Sequence, residues 1–184
     1  MKILLQIILC VFSASIVTGQ EASSLYRLSV ALSDSGSSVN LVSCQGKKVL
    51  VAVCDARNPD TPLLTQLDEL QKKYRDRLKV IVIHVNDASS AAKAVDASRW
   101  QGTGGSYEVS AVSAGKKASG TAQHPLLRWV TNEKENRHFN HDIKEGGYLF
   151  AISETGRLFA VLKRSGSVEQ TLLQRILDSK VVDH

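Results

Sequence analysis

Apolar residues recur along this chain with two different periods. In Val49–Cys54 (VLVAVC) both parities are apolar, the pattern of a central strand covered on both faces, and Leu78–Val85 (LKVIVIHV) repeats it. Between them Leu64, Leu67, Leu70 and Tyr74 return every three or four residues behind Thr61-Pro62. That spacing predicts an amphipathic helix capped by Thr61, with Pro62 at its first position. Strand, helix, strand is a parallel crossover unit. Upstream, Leu28–Ala31 and Val39–Leu41 flank the turn sequence Asp34-Ser35-Gly36-Ser37 and predict a short hairpin. Downstream, Ser89–Trp100 is Ala-rich and predicted helical, and a Gly/Ser-rich loop from Gly102 to Gln123 carries one weak strand around Tyr107–Val112. His124-Pro125 opens a further helix. Gly147–Ser153 and Leu158–Leu162 form a hairpin, and Val168–Val181 closes the chain as an amphipathic helix. The fold class is α/β, a mixed central sheet flanked by helices.

The first residues stand outside this pattern. MKILLQIILCVFSASIVTG has Lys2 as its only charge, an apolar run from Ile3 to Phe12 and small residues before Gln20, the make-up of a secretory signal peptide. A membrane span needs about 20 apolar residues, and Ser13, Ser15 and Thr18 interrupt the run too early. Cys10 does not fit a lipoprotein signal, because Leu9 rather than a small residue precedes it. Residues 1–19 are therefore expected to be removed and residues 20–184 to form one domain, periplasmic or secreted, with no membrane attachment after cleavage.

At 43% apolar and 22% charged the composition is that of a globular domain. Removing Lys2 lowers the formal charge from +5 to +4. Basic residues occur in short pairs, Lys47-Lys48, Lys72-Lys73 and Lys116-Lys117, which read as solvated surface and give no case for nucleic acid. Of three cysteines, Cys44 and Cys54 lie beyond the signal. A bond between them is not expected, since an extended Lys47–Cys54 at about 3.3 Å per residue carries their Cα atoms far past disulfide reach.

Several separate stretches resemble the glutathione peroxidase family. Gly46-Lys47-Lys48-Val49-Leu50-Val51 is similar to its entry into the first core strand, and Thr61-Pro62 with Leu67, Glu69, Leu70 and Tyr74 to the helix that follows its active-site loop. His124-Pro125-Leu126, and Asp142-Ile143-Lys144 followed by Phe150 and Gly156, match later family segments in the same order. The resemblance covers about Leu28 to Val181 and implies a thioredoxin-like fold of the glutathione peroxidase type. In that family a cysteine or selenocysteine before a helix N-terminus attacks peroxide, its acidity raised by the helix end. Aligned on Thr61-Pro62, this chain reads CDARNPDTP, which puts Asn58 at the nucleophile position. An amide has no thiolate-like state to unmask. The family's Trp-Asn pair falls on Glu145-Gly146, and no Phe-Gly-x-Gln follows the second strand.

The resemblance thus implies an oxidoreductase family and, at Asn58, a vacated site. Cys54 reads as a small buried apolar side chain, with a relocated reactive thiol assisted by Arg57 as the alternative. Cys44, in LVSCQGKK, is expected to be more exposed, its thiolate favoured by Lys47 and Lys48. His138, His141 and Asp142 have a metal-compatible spacing but read as a solvated loop. His84 reads as a core histidine and Trp129 as core. No cofactor is expected, and the partner is an unidentified protein or a small thiol. Two functional expectations follow: a pseudoenzyme with a binding or structural role, or a divergent thiol peroxidase or oxidoreductase of oxidative-stress defence using Cys54 or Cys44.

Overall fold

β3 (Lys48–Asp55) is the hub around which the other elements are arranged. It lies parallel to β4 (Leu78–Val85) and antiparallel to β6 (Tyr148–Ile152). In this computed structural model, which describes residues 24–33, 36–58, 60–86, 106–143, 146–164 and 170–181, the main sheet runs β5-β4-β3-β6-β7. Its outer strands are β5 (Glu108–Val109), parallel to β4, and β7 (Leu158–Lys163), antiparallel to β6. A separate antiparallel pair, β1 (Ser29–Ala31) and β2 (Ser38–Asn40), forms the expected hairpin.

The two-residue strand period sorts the core into two layers. Val49, Val51 and Val53 of β3 join Ile81, Ile83, Phe150 and Ile152 on one face, under the hairpin segment and α2 (Pro125–Val130). Leu50, Ala52 and Cys54 join Val80, Val82, Leu149 and Ala151 on the other, under α1 (Thr61–Tyr74) and α4 (Gln170–Asp178). A short α3 (Glu133–Asn136) follows α2, and the Asn136 amide ties it down by donating to the carbonyls of Trp129, Val130, Asn132 and Phe139. Trp129 is core, as expected.

Three expectations change. Helix α1 is capped by Asp60, whose Oδ1 accepts from Leu63 N–H at 3.0 Å, so Thr61 is the first helical residue. A carboxylate there satisfies an orphan donor and also complements the helix dipole, which a hydroxyl does less well. Lys48 is not solvated: only 6% of it is exposed, and its Nζ donates to Leu177 O at 2.7 Å and to Ser179 O. The weak strand shrinks to Glu108–Val109. The expected last helix is present at Gln170–Asp178, and its expected first residues, 168–169, lie outside the described residues. The expected helix at Ser89–Trp100 and the segment 102–105 lie outside the described residues, as do the residues of the N-terminal segment up to 23.

Candidate functional site

Strand β3 ends where α1 begins, and the turn between them is built from short polar bonds. Asp55 Oδ1 accepts from Arg57 N–H at 2.8 Å and from Arg57 Nε at 3.0 Å, while Arg57 NH2 meets Asp55 Oδ2 at 2.7 Å. The hydrogen bond from Arg57 holds the Asp55 carboxyl below its usual pKa. Asn58 N–H then donates to Asp55 O at 3.2 Å, and Asn58 itself is exposed. Arg57 is thus committed to Asp55 and is not turned onto Cys54.

Beside this turn opens a cleft of about 460 Å³, lined by Cys54, Asp55, Asn58, Asp60, Gly146 and Arg164 among others. Its far wall is formed by Gly146 and Gly147, just before β6, and by Arg164, just after β7. Gly147, at φ +95°, donates to Val53 O and accepts from Arg164 N–H, both at 2.7 Å. Gly146 approaches so closely that an added Cβ would stand 2.5 Å from Asp55 N and 3.0 Å from the Cys54 carbonyl carbon. No residue with a side chain fits there without backbone movement. Position 146 therefore cannot present an amide into the cleft. Glu145 lies outside the described residues.

The charged pair of the cleft is Asp60 with Arg164, whose side chain is only 11% exposed. One carboxylate oxygen of Asp60 caps α1 and the other meets the Arg164 guanidinium. The helix end, where an anion is stabilised, is already occupied by a carboxylate of the chain.

Cys54 sits at the floor, 3% exposed, and its thiol is pushed up to about 12, first by burial and then by the Asp60 charge, with Arg164 opposing weakly. It holds its proton at neutral pH. Cys44 departs from expectation: it is 1% exposed, packed in the opposite core layer, and its pKa is raised. Burial outweighs the hydrogen bond from Ser43 and the charges of Lys79 and Lys47, and the Lys48 ammonium is directed to carbonyls of the last helix. The two thiols are unbonded, Cys44 in the turn that precedes β3 and Cys54 near the far end of that strand. Asn58, Cys54 and Gly146 come together; Cys44 does not join them.

None of the described histidines lines the cleft. His84 is 1% exposed, and burial pushes its pKa down to about 4. His124, also buried and pushed down to about 4, uses Nδ1 to accept from Leu126 N–H and cap α2. In the RHFNHD loop, Asp142 accepts from Lys117 N–H and the His141 ring packs edge-on against Phe139. Among the described residues no group of three or more His, Cys, Asp or Glu side chains could hold a metal ion. Sequence reasoning missed Asp60 and Arg164: Asp60 had a readable signal, an acidic residue just before Thr-Pro, whereas Arg164 had none.

No family model matches the sequence, and no curated protein matches it. Solved structures do. The apo form of Trgpx superimposes with a TM-score of 0.61 at 19% identity, covering 85% of this chain and 95% of that one. GPX1 of T. cruzi gives 0.59 at 20% identity, covering 84% and 97%. A thiol:disulfide interchange protein of the thioredoxin family from Chlorobium tepidum TLS gives 0.56 at 18% identity, covering 82% and 90%. With its β3-centred mixed sheet and helices on both faces, the chain has a thioredoxin-like fold of the glutathione peroxidase type.

Proposed function

We propose that this chain is an exported glutathione-peroxidase-like pseudoenzyme: a thioredoxin-fold scaffold that has given up thiol chemistry and retains its active-site cleft as a binding surface. The observation that carries the reading is the state of the helix end. In a working thiol site the N-terminus of α1 would stabilise a thiolate; here Asp60 takes that place and is neutralised by Arg164. Asn58 at the turn offers no nucleophile, and Cys54 below it is buried and protonated. Dithiol disulfide interchange needs two thiols within reach, and Cys44, in the turn before β3, is separated by most of the strand from Cys54 near its end. Export is the expectation from the N-terminal segment and belongs to the same proposal.

One observation favours a second reading, a divergent thiol oxidoreductase or peroxidase: Cys54 lines the cleft. Hydrogen peroxide consumption, with glutathione and then a thioredoxin system as reductant, separates the two when run on the mature protein beside Cys54→Ser and Cys44→Ser. The pseudoenzyme shows no turnover above buffer in any of the three. Turnover abolished by Cys54→Ser would establish the second reading. Thiol labelling adds a check, because both cysteines should resist reagent until the chain is unfolded.

A further inference from the structure

The opposite end of α1 carries a feature that the cleft does not explain. Five of the eight residues Lys72–Lys79 are basic. Two are answered locally, Lys72 by Asp68 and Lys79 by Glu108. Lys73, Arg75 and Arg77 are exposed, and none of them meets a carboxylate among the described residues. Lys73 Nζ and the Arg77 guanidinium instead flank the Tyr74 ring at 5.4 and 5.5 Å. The Tyr74 hydroxyl donates to Asp178 at 2.9 Å, which fixes the ring between them.

Cations in the last turn of a helix offset its dipole, and that accounts for Lys72 and Lys73. It does not account for Arg75 and Arg77, which lie beyond α1. Arg75 also has a φ of +46°, a backbone region where glycine is the default, yet it bears a guanidinium. Lys73 and Arg77 are held at one ring and Arg75 is two residues from each in sequence; the carboxylates of Asp76 and Asp178 in the same patch offset part of this charge, and a polyanion is attracted by the excess that remains.

We infer that this end of the molecule is a docking surface for a sulfated polysaccharide. Arg guanidinium forks match sulfate oxygens in pairs, and the Tyr74 clamp presents two of the cations on a rigid base. Single-stranded nucleic acid is a poorer occupant, because the one aromatic ring here is only 5% exposed and offers no stacking platform. A bilayer is poorer too: Tyr74 and Leu78, the apolar residues of the segment, are both buried, leaving nothing on it to insert. The surface lies about 20 Å along α1 from the cleft, so it stands whether or not the cleft reading does.

The test is retention of the full mature protein on immobilised heparin in a sodium chloride gradient, beside a plain sulfopropyl matrix. Wild type should hold to higher salt on heparin than on sulfopropyl. The Lys73→Gln/Arg75→Gly/Arg77→Gln variant should lose that excess, with the slope of log affinity against log salt falling by about 2–3. A control that removes as much charge elsewhere, Arg128→Gln/Lys134→Gln/Lys163→Gln, should keep it. Arg77→Gln alone should give an intermediate shift and guards against a folding defect in the triple variant. Equal elution of the patch and control variants would overturn the proposal, as would duplex DNA or phosphatidylserine vesicles competing as well as soluble heparin.

Discussion

The two ends of β3 each set a charge against a helix terminus, but they differ in access: Lys48 is buried and the Asp60 side chain is 36% exposed. At the start of the strand, the Lys48 ammonium donates to the last carbonyls of α4 beside the Phe159 ring, and the arrangement is closed. At the end, Asp60 caps α1 against Arg164, and the pair faces an open cleft. Both obey the helix dipole, cation at a C-terminus and anion at an N-terminus. The closed end stabilises the fold. The open end combines the same kind of bond with room for a ligand, which separates what the scaffold needs from what it still offers.

The largest effect is expected at Lys48. Lys48→Met strips Leu177 O and Ser179 O of their charged donor and is expected to cost about 3–4 kcal/mol, measured by urea unfolding. A loss no larger than that of Asp60→Ala would make the two ends equivalent. Next comes acid. The folded pKa of His84, on the strand beside Cys54, lies near 4 against 6.5 for the free side chain, so between those values the unfolded chain binds the extra proton. Stability present above pH 6.5 should therefore fall by about 3 kcal/mol as the pH drops to about 4. His124 adds a loss of the same sign from the other core layer. Unfolding curves for wild type and His84→Gln across this window should converge toward low pH; parallel curves would remove His84 from the account.

Smaller effects sharpen the open end. Gly146→Ala forces a methyl against Asp55 N and should cost about 2 kcal/mol while narrowing the cleft. An unchanged melting temperature would mean that the β6 entry moves freely. Smallest is the cap: Asp60→Ala should lose about 1 kcal/mol, and Asp60→Asn less, since an amide still caps but no longer pairs with Arg164. Equal losses for Asp60→Asn and Asp60→Ala would show that the ion pair rather than the cap carries the stability.

Elements with a strong local period were legible from the sequence. VLVAVC and LKVIVIHV sat within a residue or two of their observed strands, and the leucine spacing placed α1, because alternation and the 3.6-residue turn are written locally. What escaped depended on partners remote in the chain. Lys48 looked like half of a surface pair until the last helix, about 130 residues on, supplied its acceptors. Cys44 looked exposed among polar neighbours, yet a 3-10 turn folds it inward under the first core layer. Asn58 and Cys54 could be named from the turn sequence, but Arg164, which completes the charge arrangement of the cleft, comes from the far end of the hairpin and has no local mark.

The Asp60 cap also bears on reversibility. On the reading proposed here, Asn58→Cys alone would not restore a peroxidase, because the new sulfur would meet a helix end whose electrostatic favour is already taken. The expected thiol would titrate near an ordinary cysteine, measurable by the pH dependence of its alkylation. Regaining activity would need a second change at Asp60, and that change first passes through a less stable protein. A loss of function guarded in this way behaves as a ratchet: once the carboxylate has settled, the route back runs uphill.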